Sequence, residues 1–115
     1  MKRLIVNADD YGRSASVSAG IRQAHRQGIV TSTTAMMNMP GVEAEVRTAL
    51  AECPQLGLGA HLTLTAASPL LPPEQIPSMV ALSGGGAFPK LAALGSGLAT
   101  VKPAEVKAEW RAQIE

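Results

Sequence analysis

Residues 1–12 read MKRLIVNADDYG, an apolar run that stops at two adjacent aspartates. Leu4, Ile5 and Val6 are apolar and β-branched at the centre, so residues 3–8 are predicted as a buried strand. Asp9 and Asp10 then stand where that strand ends. Neighbouring carboxylates repel and resist desolvation, so the pair costs stability unless a cation or a reaction uses it.

The segments downstream give the strand its partners. Ser14 is placed to cap a helix running to Gln27, with Val17, Gly20, Ile21 and Ala24 on one face and Gly28 as its stop. GIVTSTTAMM, 28–37, is a second strand rich in Thr, Val and Ile. Pro40 and Gly41 break the chain before a second helix over 42–52, whose apolar face carries Val42, Val46, Ala49 and Leu50. LGLGAHLTLT, 56–65, is a third strand. Strand, helix, strand, helix and strand with short connections imply an α/β fold of parallel strands joined by right-handed crossovers. In such sheets function sits at the carboxyl ends of the strands, where Asp9, Asp10 and His61 fall.

From 66 to 100 the pattern fails. Pro69, Pro72, Pro73, Pro77 and Pro89, with SGGG at 83–86, predict a long Pro/Gly-rich loop of the kind that serves as a lid or binding loop, or as a plain surface excursion. Pro103 then opens a last helix that still runs at Glu115. The 115 residues suffice for a single domain, and the three predicted strands point to the N-terminal portion of a longer α/β protein.

Ten Lys+Arg against nine Asp+Glu give a net charge of +1, without the basic excess of a nucleic-acid binder. One Tyr, one Phe and one Trp provide no stacking platform for bases. Cys53 is the sole cysteine, which fits a reducing compartment. The apolar run after Lys2 and Arg3 is too short for an export signal or a membrane span, so the expected location is the cytoplasm. An open sheet edge favours self-association, as in a homodimer.

Period-two alternation through 56–65 puts Leu56, Leu58, Ala60, Leu62 and Leu64 on one face, and Gly57, Gly59, His61, Thr63 and Thr65 on the other. The second face is small and polar, with room before His61 for an ion or substrate. A histidine alone in a strand is more commonly a hydrogen-bonded structural residue, and a single strand-end aspartate commonly caps the next helix. Two in succession exceed what a cap needs. Adjacent strand side chains point to opposite faces, so either the backbone turns after Asp9 or the two carboxylates play different parts. One binding a cation while the other accepts a proton from water is such a division. Asp plus His suits Zn²⁺, Mn²⁺ or Co²⁺, with Mg²⁺ admitted when further oxygen ligands join. Two ligands are fewer than the three usual for a catalytic metal. His25 lies mid-helix and is expected to be exposed; Met36, Met37 and Met39 read as core or as an apolar rim. No nucleophile elbow, P-loop or dinucleotide fingerprint occurs. A phospho-acceptor receiver domain also begins with an acidic pair, but it needs an aspartate after the third strand, and no Asp follows Asp10.

LIVNADDYG at 4–12, GIVTSTTAMMN at 28–38 and GLGAHLTLT at 57–65, in that order, resemble the YdjC-like carbohydrate deacetylases, which include chitooligosaccharide deacetylases. PPEQIPSMV and EVKAEWRAQIE are most similar to the hopanoid-biosynthesis-associated branch. The resemblance covers nearly the whole chain. It implies a distorted (β/α) TIM-like barrel, hydrolysis of an N-acetyl group from an amino sugar or glycoconjugate, and a divalent metal, Mg²⁺ or Zn²⁺, held by one aspartate and two histidines. Mapped here, it implies Asp10 and His61 as metal ligands and Asp9 as the general base. The family's further histidine falls in a motif past the last helix, so these residues alone are expected to be inactive. A non-catalytic sugar-binding or scaffold module is the alternative.

Overall fold

The computed structural model describes residues 2–115. A parallel three-stranded sheet in the order β1-β2-β3 consists of β1 (Asn7–Tyr11), β2 (Ser32–Ala35) and β3 (Gly57–Ala60). The crossovers are α1 (Ala15–Gln27) and α2 (Val42–Glu52). Ser14 caps α1 by accepting a hydrogen bond from Val17 N–H, as the sequence predicts. The chain divides into two compact units, one ending at His61 and the other running Leu62–Glu115.

The first unit has its core on one side of the sheet. Tyr11, Ala35 and Leu56 pack there with Ile21 of α1, Val42 and Ala49 of α2, and Cys53. Tyr11 is fully buried, donating its hydroxyl to Glu45 O at 2.7 Å and accepting from Arg22 Nη1 at 2.7 Å. Arg22 also pairs with Glu45 and Glu52, so one guanidinium ties the end of β1 to both helices. Desolvation pushes the Tyr11 phenol up, against the lowering effect of Arg22; the hydrogen bond to Glu45 pushes the Arg22 guanidinium up.

The strands are displaced from their expected positions. The predicted strand 3–8 forms as Asn7–Tyr11, and Leu4 and Ile5 are 79 % and 77 % exposed. Pairing begins at Val6, whose carbonyl accepts from Thr31 N and Ser32 N while its N–H donates to Thr31 Oγ1, and it continues beyond the aspartates. β2 and β3 are shorter than predicted because the matched register ends at Ala35 and Ala60. Leu50, expected in the core, is 60 % exposed, and Ala49 takes the inward position. His25 is half-buried rather than exposed, its Nδ1 2.8 Å from Val30 O.

The second unit corrects the expectation of an irregular loop over 66–100. Short helices form there, including α3 (Pro77–Val80) and α4 (Leu91–Gly97), before α5 (Pro103–Ile114). Pro73, Pro77 and Pro103 stand in first turns, where no N–H is required, so these prolines start helices. Ile76, Met79, Val80, Phe88 and Val101 form the core. On α5 the buried side chains are polar: Glu105, Glu109 and Gln113. Glu109 accepts from Leu70 N and Leu71 N at 2.9 and 3.0 Å, and Glu105 from Ser78 N and Oγ at 2.8 and 2.7 Å. Gln113 exchanges hydrogen bonds with both backbone groups of Thr63.

Candidate active site

The polar side of the sheet carries the chemistry. Register places Ser32 between Asn7 and Gly57, and Thr34 beside Gly59. Alternation therefore collects Asn7, Asp9, Ser32, Thr34, Gly57, Gly59 and His61 on the face opposite the helices. Gly57 and Gly59 add no side chains, so the space before the strand ends stays open.

Asp10 reaches this cluster through the backbone. Ala8 pairs with Thr33 and Tyr11 with Ala35, so β1 spends one residue more than β2 over the same span. The extra residue is a β-bulge, uncommon in parallel pairs and frequent beside active sites. Asp10 has φ 68°, a left-handed conformation that L-residues other than Gly, Asn and Asp rarely adopt. The turn sends Tyr11 into the core and brings the Asp10 carboxylate to His61, while Asp9 is linked to His61 through Thr34. Gly12 follows at φ +85°; a Cβ there would lie 2.5 Å from Val42 Cγ2, so α2 fixes the exit of the turn.

The contacts are specific. Asp9 Oδ1 accepts from Asn7 Nδ2 at 2.7 Å and from Thr34 Oγ1 at 3.0 Å. Asn7 is itself oriented by Ser32 Oγ, which donates to its Oδ1 at 2.8 Å. Asp10 Oδ2 pairs with Arg13 Nη1 at 2.9 Å, and Asp10 Oδ1 lies 3.4 Å from His61 Nδ1. Asp10 N–H also points to Nδ1 at 3.4 Å, and Thr34 Oγ1 lies at the same distance. His61 is held by its N–H donating to Ala35 O at 2.7 Å. Asp10 and His61 side chains are 33 % and 29 % exposed, reachable by solute.

The Asp10 oxygen and the His61 nitrogen fit two ligands of one cation, since ligands at about 2.1 Å in a tetrahedral set lie roughly 3.4 Å apart. Among the described residues no group of three or more His, Cys, Asp or Glu is placed to hold a metal. His25 sits against Val30 O and Cys53 in the core, so neither joins the pair. Met36 is buried and Met37 and Met39 pack on the core, in keeping with a packing role. A groove of about 730 Å³ along α5, between Leu62, Leu98, Trp110 and Ile114, contains none of these groups.

Sequence reading brought forward Asp9, Asp10 and His61, and all lie together. It missed Thr34, Asn7 and Ser32. The signal was available in parity: once NADD and STTA are aligned as parallel neighbours, Thr34 falls beside Asp9.

The family model described as YdjC-like protein matches residues 3–115. A carbohydrate deacetylase of Brevibacillus brevis is 45 % identical over 113 residues, covering 97 % of this chain and 42 % of the relative. A chitooligosaccharide deacetylase of Proteus mirabilis is 51 % identical over 76 residues, covering 66 % of this chain and 28 % of the relative. A crystal structure from Enterococcus faecalis V583, named provisionally for cellobiose-phosphate cleavage, superposes with a TM-score of 0.85 at 40 % identity, over 95 % of this chain and 41 % of that one. The chain thus spans less than half the length of these relatives. With a family match from Arg3 to Glu115 and an aligned fold, the chain belongs to the YdjC-like family.

Proposed function

We propose that this chain contributes the front strands of a (β/α) barrel whose activity is hydrolytic removal of an N-acetyl group from an amino sugar or glycoconjugate. One observation carries the reading: a bulge at Asp10 gathers Asp9, Asp10 and His61 at the carboxyl ends of β1 and β3. The names of the deacetylase relatives support the substrate class.

In this reading Asp10 and His61 hold a divalent cation, Zn²⁺ or Mg²⁺. Such a cation supplies Lewis acidity, polarising an amide carbonyl and acidifying water. Asp9 is the general base: Asn7 and Thr34 occupy Oδ1, leaving Oδ2 to take the proton of the attacking water. Protonated Asp9 then returns that proton to the leaving amine, and acetate departs. Arg13 neutralises the second Asp10 oxygen and limits repulsion between the paired carboxylates. The open glycine positions of β3 leave room for a sugar ring. A cytoplasmic setting is consistent with the free, buried Cys53, and no helix of the described residues is long and apolar enough to cross a membrane.

Metal analysis and acetate release from N-acetylglucosamine oligomers, on the intact protein, test the assignment. Asp9→Asn is expected to keep the metal and lose acetate release, whereas Asp10→Ala and His61→Ala lose both. Acetate release by Asp9→Asn at the wild-type rate would refute the role of Asp9.

A further inference from the structure

Ser18 has no part in the proposed ligand and base assignments, yet it is a fully buried hydroxyl on α1. Serine is a weaker helix former than alanine, and a buried hydroxyl needs a partner. That partner is the backbone beside Asp10: Ser18 Oγ accepts from Gly12 N–H at 3.0 Å, in a buried contact. Residues Asp10 to Arg13 make a turn, closed by Arg13 N–H donating to Asp10 O at 3.1 Å. Asp10 and Gly12 both have positive φ, 68° and 85°. The peptide that joins Tyr11 to Gly12 is held at both ends. Its carbonyl, Tyr11 O, accepts from Met36 N–H at 2.9 Å, and its N–H is the group bound by Ser18.

We infer that Ser18 is a positioning residue, acting through the Tyr11–Gly12 peptide to hold the turn that presents the Asp10 carboxylate to His61. A disfavoured backbone angle persists only where its surroundings over-determine it. Relaxing Asp10 toward ordinary strand angles has to rotate this peptide or carry the buried Tyr11 with it. Val42 packs against Gly12, but such contact does not orient a peptide plane; the acceptor on Ser18 does. An alanine at 18 leaves a buried N–H with no acceptor, and a rotation that seeks a new one displaces Asp10. The 3.4 Å spacing of Asp10 Oδ1 and His61 Nδ1, which suits two ligands of one cation, then depends on a hydroxyl that touches neither.

This inference rests on the reading of Asp10 and His61 as ligands, and the test separates the two. Zn²⁺ is titrated calorimetrically into the intact wild type and into Ser18→Ala, Ser18→Thr and Glu109→Gln, with thermal melts to confirm folding. Loss of a partner beyond the ligands lowers metal affinity roughly 10–100-fold, and Ser18 acts one step further out, so Ser18→Ala should weaken binding about tenfold. Ser18→Thr keeps the hydroxyl and should stay near the wild type. Glu109→Gln, whose bonds lie within the second unit, controls for stability loss and should leave the affinity unchanged. If the alanine variant melts early, Ser18→Cys keeps the volume, weakens only the acceptor, and takes its place. Wild-type affinity in Ser18→Ala, or a loss as large in Ser18→Thr or Glu109→Gln, overturns the role of Ser18 and leaves the ligand assignment standing. A wild type that takes up no Zn²⁺ overturns the ligand assignment and this inference with it.

Discussion

Asp10 stores strain that glycine would release, and exchanging the residue separates stability from function. At φ 68° an alanine pays the left-handed penalty of roughly 1–2 kcal/mol. Glycine adopts the same angle freely but loses roughly 0.4–1 kcal/mol more chain entropy on folding. The difference leaves Asp10→Gly about 1 kcal/mol more stable than Asp10→Ala, with aspartate between them because its short polar chain tolerates this region. Both variants lose the ion pair to Arg13. That contact cancels in the comparison, and at this exposure it amounts to about 0–1 kcal/mol. Urea unfolding followed by far-UV circular dichroism measures the gap; with a denaturant slope of roughly 1–3 kcal/mol/M, the midpoints should differ by about half a molar. On the proposed ligand assignment, both variants are expected to lose Zn²⁺ binding whatever their order of stability. If Asp10→Ala proves as stable as Asp10→Gly, the bulge is not strained and the argument that function maintains it fails.

Two further predictions concern the supports of the fold. Glu109→Gln turns an N–H₂ group toward a backbone donor and should cost about 1–3 kcal/mol, and Glu109→Ala more, because Leu70 and Leu71 N–H are left without an acceptor; hydrogen exchange at those two amides should accelerate, and unchanged exchange would contradict the role of the carboxylate. Burial raises the Tyr11 pKa above 10.0, so the folded state holds its proton where the unfolded state releases it. The stabilising contribution is intact below pH 10.0 and declines as pH rises toward the folded value. Urea melts across that window should show the decline in the wild type and a shallower one in Tyr11→Phe.

The helices α1 and α2 were legible because each carries a local signal: Ser14 with its cap, and Pro40-Gly41 before an apolar face. The parallel pairing followed from the alternation of elements. Strand limits did not, since Leu4 and Ile5 look like core by composition and are exposed, whereas the strand continues past Asp9 and Asp10, which look like its end, to Tyr11. A bulge has no composition of its own; only the cost of adjacent carboxylates hinted that the backbone must turn. The second unit was least legible because prolines mark both breaks and first turns, and because its last helix buries its glutamates. Thr34 was hidden by the need to know the register first.

The arrangement of α5 also bears on the order in which this chain acquires structure during synthesis. β1 to β3 and their helices are encoded contiguously, so that unit holds all its partners once His61 has emerged. The stretch from Thr63 to Ser78 is different: its backbone N–H groups await acceptors on Glu105, Glu109 and Gln113, which leave the ribosome last. Until then the N–H groups of Thr63, Leu70, Leu71 and Ser78 lack these acceptors. A chain halted before residue 105 therefore leaves these donors unpaired, and the glutamates of α5 supply the acceptors that end this interval.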